Sequence, residues 1–244
     1  MAKYKVVVTS STMQTTQAAM DKLRQHCEVL CWQKPGKIPL DEIKEWLKDA
    51  EGLVTTGGTI RVDEQLLALA PKLRVVAQTA VGYDNVDVNA CTARGIPFGN
   101  TPGVLTETVA DMAFGLLLCS ARRIHDGWDF VRSGLWRPGS KVPVGMDISD
   151  GKTLGIIGMG KIGEAVAKRA RAFNMKVVYH NRCRRADDKQ IGAEYMSFGD
   201  LLGKADCIIV LTPLTQETRG MFGREEFARM KPSAFFVNAA RGPV

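Results

Sequence analysis

Residues 154–163 read LGIIGMGKIG, an apolar run followed by Gly158-Met159-Gly160-Lys161-Ile162-Gly163, which fits G-x-G-x-x-G. Alone the pattern is weak, but its setting strengthens it: the glycines fall where a strand ends and a helix with Ala165, Val166 and Ala170 begins. There Gly158 permits a tight turn, Gly160 lets backbone approach a pyrophosphate, and Gly163 lets helix and strand pack closely. The N–H groups and dipole at a helix start favour a diphosphate. A glycine-rich turn without a ligand is the alternative.

Working downstream, a strand over 175–180, a helix near Phe198–Gly203, a strand Asp206–Leu211, a helix around Arg224–Met230 and a strand Ala234–Asn238 follow in the order that a dinucleotide-binding sheet requires. Upstream, strands are expected at Tyr4–Thr9, Glu28–Trp32, Gly52–Thr55, Leu73–Gln78 and near Ile96, with helices Thr15–His26, Asp41–Asp49 and Val62–Ala70 between them. Between the halves, 101–124 (TPGVLTETVADMAFGLLLCSARRI) predicts a long, mostly buried helix that bridges them, with Thr106 as its N-cap. Trp128–Asp150 lacks periodicity and is expected to be an irregular surface loop. The class is therefore α/β: a Rossmann-type doubly wound parallel sheet over 101–244, plus a smaller flavodoxin-like α/β domain over 1–100.

The second strand ends at Asn181, eighteen residues past Gly163, where a carboxylate would take an adenine ribose. Asn181 is neutral, and Arg182, Arg184 and Arg185 offer forked, charge-assisted donors suited to a 2′-phosphate. NADP(H) is therefore the expected cofactor. A solvated basic turn that leaves NAD(H) acceptable is the alternative.

Composition bounds the remaining classes. With 244 residues, 45% apolar and 24% charged, the chain is globular, and no apolar run reaches 18 residues. The N-terminus lacks the pattern of a signal peptide, so a soluble cytoplasmic chain without membrane contact is expected. The six cysteines are scattered and expected to be reduced thiols; Cys27 and Cys31 sit beside His26 without a second ligand pair, so no metal is expected. The net charge of +7 is spread along the chain and does not single out nucleic acid as a partner.

Four separated motifs carry a resemblance: 81–112 (VGYDNVDVNACTARGIPFGNTPGVLTETVADM), 152–170 (KTLGIIGMGKIGEAVAKRA), 211–222 (LTPLTQETRGMF) and 230–244 (MKPSAFFVNAARGPV). They resemble the D-isomer-specific 2-hydroxyacid dehydrogenase family, nearest in wording to the glyoxylate/hydroxypyruvate and 2-ketogluconate reductases. The resemblance implies NAD(P)H-dependent reduction of a small 2-oxo acid and a homodimer joined through the cofactor domains, with the loop after Trp128 as its arm. It also implies that Val81 and Gly82 bind the substrate carboxylate and that Gly160, Lys161 and Ile162 contact pyrophosphate. Thr212 and Pro213 would pass beside the adenosine, Ala239 beside the nicotinamide, and Arg241 would bind substrate and polarise its carbonyl.

The family's proton donor, a His oriented by a Glu, lies downstream of the arginine, whereas this sequence stops at Val244. His26, His125 and His180 lack the family's surrounding motif and are expected to be surface or capping residues. The expectation is that a C-terminal part of the cofactor domain is absent and that these 244 residues have at most weak reductase activity. Two other readings stay open: a nucleotide-sensing interaction module of the C-terminal-binding-protein type, and a NAD-dependent phosphoglycerate-type dehydrogenase.

Overall fold

The computed structural model describes residues 3–10, 17–149 and 151–244. Thr15 and Asp150, named above at element ends, lie outside them. Contacts divide the chain into two compact units, Met1–Val104 and Leu105–Val244.

The first unit runs β1 (Tyr4–Val8), α1 (Gln17–His26), β2 (Cys27–Cys31), α2 (Leu40–Leu47), β3 (Gly52–Thr55), α3 (Glu64–Ala68), β4 (Val75–Gln78), α4 (Val88–Ala93) and β5 (Phe98–Gly99). Its strands are all parallel in the order β2-β1-β3-β4-β5, the flavodoxin-like arrangement. Register places Val7 against Leu30 on one side and Leu53 on the other, and Leu53 against Val76. These residues pack with Ile43, Leu47, Leu67 and Cys91. Asp63 accepts the Leu66 N–H at 3.1 Å and starts α3, which is why that helix begins later than its apolar pattern. The helix α4, capped in the same way by Asp87, is too short to show a periodicity and was not expected.

The second unit runs α5 (Thr106–Ala121), α6 (Ile124–Arg132), β6 (Thr153–Ile157), α7 (Lys161–Ala172), β7 (Lys176–His180), α8 (Asp188–Ile191), β8 (Glu194–Tyr195), α9 (Phe198–Lys204), β9 (Cys207–Val210), α10 (Arg224–Arg229) and β10 (Phe235–Asn238). The order β8-β7-β6-β9-β10 is, counted within the unit, 3-2-1-4-5: the dinucleotide-binding order. Alternate residues of β6 face opposite layers. Leu154 and Ile156 join Ala113, Leu117 and Val166 of α5 and α7, while Ile157 joins Leu201, Leu202 and Ala205 at α9. Each fully buried Leu, Ile or Val side chain among them stabilises the unit by roughly 1.5–3 kcal/mol.

Three expectations are corrected here. Thr106 is the first helical residue of α5, and the cap position belongs to Leu105, which gives no side-chain cap bond. Only one face of α5 is buried (Ala110, Ala113, Phe114, Leu117 and Ala121), while Met112 and Leu116 are exposed. The segment from Trp128 is not irregular throughout, because α6 continues to Arg132. Four-residue α8 and two-residue β8 are again below the length at which a period can be read. No helix among the described residues is long and apolar enough to cross a membrane.

Candidate functional site

At the carboxyl end of β6 the chain turns at Gly158, whose φ of +101° disfavours any residue with a Cβ. A Cβ there would also lie 2.8 Å from the Thr212 nitrogen, and one on Gly163 would lie 2.6 Å from the Gly158 oxygen. Gly160, the N-cap of α7, differs in that a Cβ on it would meet nothing within 4 Å. The glycine turn is thus packed tightly beneath and open above. An α-helix leaves its first N–H groups without intrahelical acceptors, and those of Lys161, Ile162 and Gly163 find none among the described residues.

The turn sits where the strand order reverses, between β6 and β9. Leu211 N–H donates to the Ile157 carbonyl at 2.7 Å, bringing Thr212 and Pro213 alongside. The Thr212 hydroxyl is buried and has no hydrogen-bond partner. Ala239 N–H donates to the Val210 carbonyl at 3.1 Å, so Ala239 stands at the same end of the sheet, and Arg241 follows two residues on. Arg241 is exposed, with one guanidinium nitrogen donating to the Ala240 carbonyl at 3.0 Å. A row of free N–H groups, an open Cα surface and an orphaned hydroxyl fit the diphosphate end of a dinucleotide.

The basic turn after β7 is held from both ends. Tyr179 accepts the Arg185 N–H at 2.9 Å, and Tyr195 donates to the Asn181 carbonyl at 3.3 Å. Asn181 faces the glycine turn, its Oδ1 accepting the Met159 N–H at 2.6 Å and its Nδ2 donating to the Met159 carbonyl at 3.3 Å. Arg184 pairs with Asp188 at 2.7 Å, and Arg185 grips Asp187 through two nitrogens at 2.7 and 2.6 Å. These guanidinium groups hold both aspartates below the usual carboxylate range. Arg182 is exposed and makes no hydrogen bond or ion pair among the described residues. Glu217 is held low chiefly by its hydrogen bond from Thr215, with the charge of Arg182 contributing.

In the first unit, the turn after β4 has its carbonyls occupied. Gln78 donates to the Gly82 oxygen at 2.9 Å, Asn100 to that of Val81 at 2.8 Å, and Thr101 N–H to that of Ala80 at 3.3 Å. The Val81 and Gly82 N–H groups have no acceptor among the described residues, an arrangement suited to a carboxylate.

Sequence reasoning therefore named a set that the fold gathers around one turn: Gly158, Gly160, Lys161, Ile162, Gly163, Asn181, Arg182, Arg184, Arg185, Thr212 and Pro213. It overlooked the residues that hold them, namely Tyr179, Tyr195, Glu164, Asp187 and Asp188, and Gln78 and Asn100 in the first unit. The acid pair Asp187-Asp188, one residue past the arginines, was the available signal. His180 Nδ1 donates to the Met196 carbonyl, 2.9 Å away, with its ring against Tyr195 and Phe198, and His125 lies beside Asp129 on the surface.

The family profile described as "D-isomer specific 2-hydroxyacid dehydrogenase, NAD binding domain" matches residues 114–244. A glyoxylate reductase of Thermococcus litoralis is 44% identical over 240 residues, covering 96% of this chain and 72% of the relative. The crystal structure of a glyoxylate reductase from Paecilomyes thermophila superposes with a TM-score of 0.87 at 30% identity, covering 100% of this chain and 75% of that one. An NADPH-dependent glyoxylate/hydroxypyruvate reductase of Sinorhizobium meliloti, solved with NADP and malonate, gives 0.84 at 28% identity, covering 99% and 72%. With the sheet order, the glycine turn and these likenesses in agreement, the chain belongs to the D-isomer-specific 2-hydroxyacid dehydrogenases, a family of oxidoreductases.

Proposed function

We propose that this protein reduces a small 2-oxo acid of the glyoxylate, hydroxypyruvate or 2-ketogluconate kind to the D-2-hydroxy acid, with NADPH preferred over NADH. The bound coenzyme would supply hydride to the carbonyl carbon. The chain's own part divides between its units. The second, taken as the cofactor domain from residue 101, holds the diphosphate against the open Cα of Gly160 and on the N–H groups of Lys161 and Ile162, passes Thr212 and Pro213 beside the adenosine, and sets Ala239 beside the nicotinamide. The first, taken as the substrate domain to residue 100, offers the Val81 and Gly82 N–H groups to the carboxylate. Arg241 binds the oxo acid and polarises its carbonyl, a planar fork being matched to both tasks.

One observation carries the cofactor preference: β7 is followed at once by Asn181, with an unpaired guanidinium, Arg182, directly after it and no carboxylate in that place. The names of the T. litoralis and S. meliloti relatives support the substrate class, and the NADP in the latter supports the preference. Comparing Michaelis constants for NADPH and NADH before and after Arg182→Asp tests it. The preference should swing toward NADH by about tenfold or more, the loss of one charge-assisted contact plus a new repulsion. An unchanged ratio would refute the preference while leaving the reaction class standing.

We also infer a homodimer, in a cytoplasmic setting. Ile124, Trp128 and Val131 recur at helical spacing along α6 and are 55%, 51% and 49% exposed, and no residue of that helix is buried. An amphipathic helix whose apolar stripe faces outward needs a partner, and a second copy offers the same stripe.

A further inference from the structure

The arginines of the basic turn do not share one task. Arg185 is turned back over the glycine turn and spends its fork on protein atoms. Nη1 donates to the Met159 carbonyl at 3.2 Å, Nε and Nη2 take Asp187, and Nη2 also reaches Glu164 in the first turn of α7 at 3.4 Å. Its side chain is only 24% exposed. The same Met159 carbonyl accepts from Asn181, whose Oδ1 takes the Met159 N–H. Both peptide groups flanking Met159 are therefore fixed in orientation. A carbonyl is the one backbone group in such a turn that would repel a phosphate, and here two donors hold it. Arg182, by contrast, has no such engagement.

We propose that Arg185 is a positioning residue that clamps the Met159 carbonyl so that the glycine turn presents only N–H groups to a diphosphate, leaving recognition of a 2′-phosphate to the exposed arginines of the turn, Arg182 first and Arg184, held only through its Nε, beside it. This rests on the dinucleotide reading given above. It makes Arg185 matter equally to both coenzymes, because the diphosphate is common to them.

Calorimetric titration of the wild-type chain and of Arg182→Ala, Arg185→Ala and Asp187→Asn with NADPH, NADH and adenosine 2′,5′-bisphosphate tests the division. Arg185→Ala should weaken NADPH and NADH by the same factor, about tenfold, keeping their ratio within about twofold. Arg182→Ala should weaken NADPH and the bisphosphate and spare NADH. A ratio that moves in Arg185→Ala as it does in Arg182→Ala overturns the proposal, and so does a lowered melting temperature with both affinities intact. Should Arg185→Ala not fold, Asp187→Asn decides. Releasing the fork from its carboxylate leaves the ratio unchanged if Arg185 is a clamp, and raises it in favour of NADPH if Arg185 is itself the phosphate ligand. Failure of the wild type to bind either coenzyme would instead refute the dinucleotide reading.

Discussion

Gly160 and Gly163 are three residues apart, yet the same substitution should affect them in opposite ways. A methyl group on Gly163 meets the Gly158 carbonyl at 2.6 Å, backbone against backbone, so Gly163→Ala must shift β6 or α7 and should lower stability by about 1–3 kcal/mol. A methyl group on Gly160 meets nothing, so Gly160→Ala should melt like the wild type and lose coenzyme affinity, since the added carbon stands where a phosphate approaches. Thermal melts without coenzyme, paired with calorimetry, separate the two; equal melting temperatures for Gly163→Ala and wild type would disprove the packing argument. The thiols divide as clearly. Cys183 is exposed in the basic turn, whereas Cys207 is fully buried in β9, and burial, with Asp206 beside it adding a smaller share, pushes its thiol up to about 12. A thiol reagent at pH 8 should therefore label Cys183 in the folded chain and reach Cys207 only on unfolding, as peptide mapping can show.

Among the strands, Asp206 ties three amino-terminal edges together. It accepts the Thr153 N–H at the start of β6 at 2.9 Å and the Lys231 ammonium ahead of β10 at 2.9 Å, and itself precedes β9. Burial pushes its carboxyl up, but the Lys231 and Thr153 bonds outweigh this and hold it below the ordinary value. A depressed folded value means that the stabilisation is complete above the unfolded pKa of about 4 and is lost as pH falls through the folded value. Asp206→Asn should cost about 1–2 kcal/mol at pH 7, with the gap to wild type narrowing below about pH 4. Urea unfolding at pH 7, 5 and 3.5 measures it, and a gap constant with pH would rule out the ionic share. The elements themselves show how far local pattern reaches. Long strands and helices such as β6 and α7 announce themselves through apolar runs and periodicity, whereas α4, α8 and β8 span six, four and two residues and leave no period to detect.

For the assembled protein, the outward stripe of α6 sets the expectation for oligomeric state. Sedimentation equilibrium should give twice the 26.7 kDa chain mass for the wild type, and Trp128→Asp together with Val131→Asp should give the chain mass with an unchanged melting temperature. A monomeric wild type would leave the stripe to another partner.

The order of the longer strands and helices and the glycine turn were legible in the chain because they rest on short-range causes: apolar runs, helical periodicity, and a backbone angle that only glycine adopts readily. The occupation of Asn181 by Met159, the return of Arg185 onto the Met159 carbonyl, and the outward face of α6 were not legible. They depend on which polar groups the folded turns bring within about 3 Å of one another, and on which surfaces the packed layers leave uncovered, and neither is encoded in the spacing of residues along the chain.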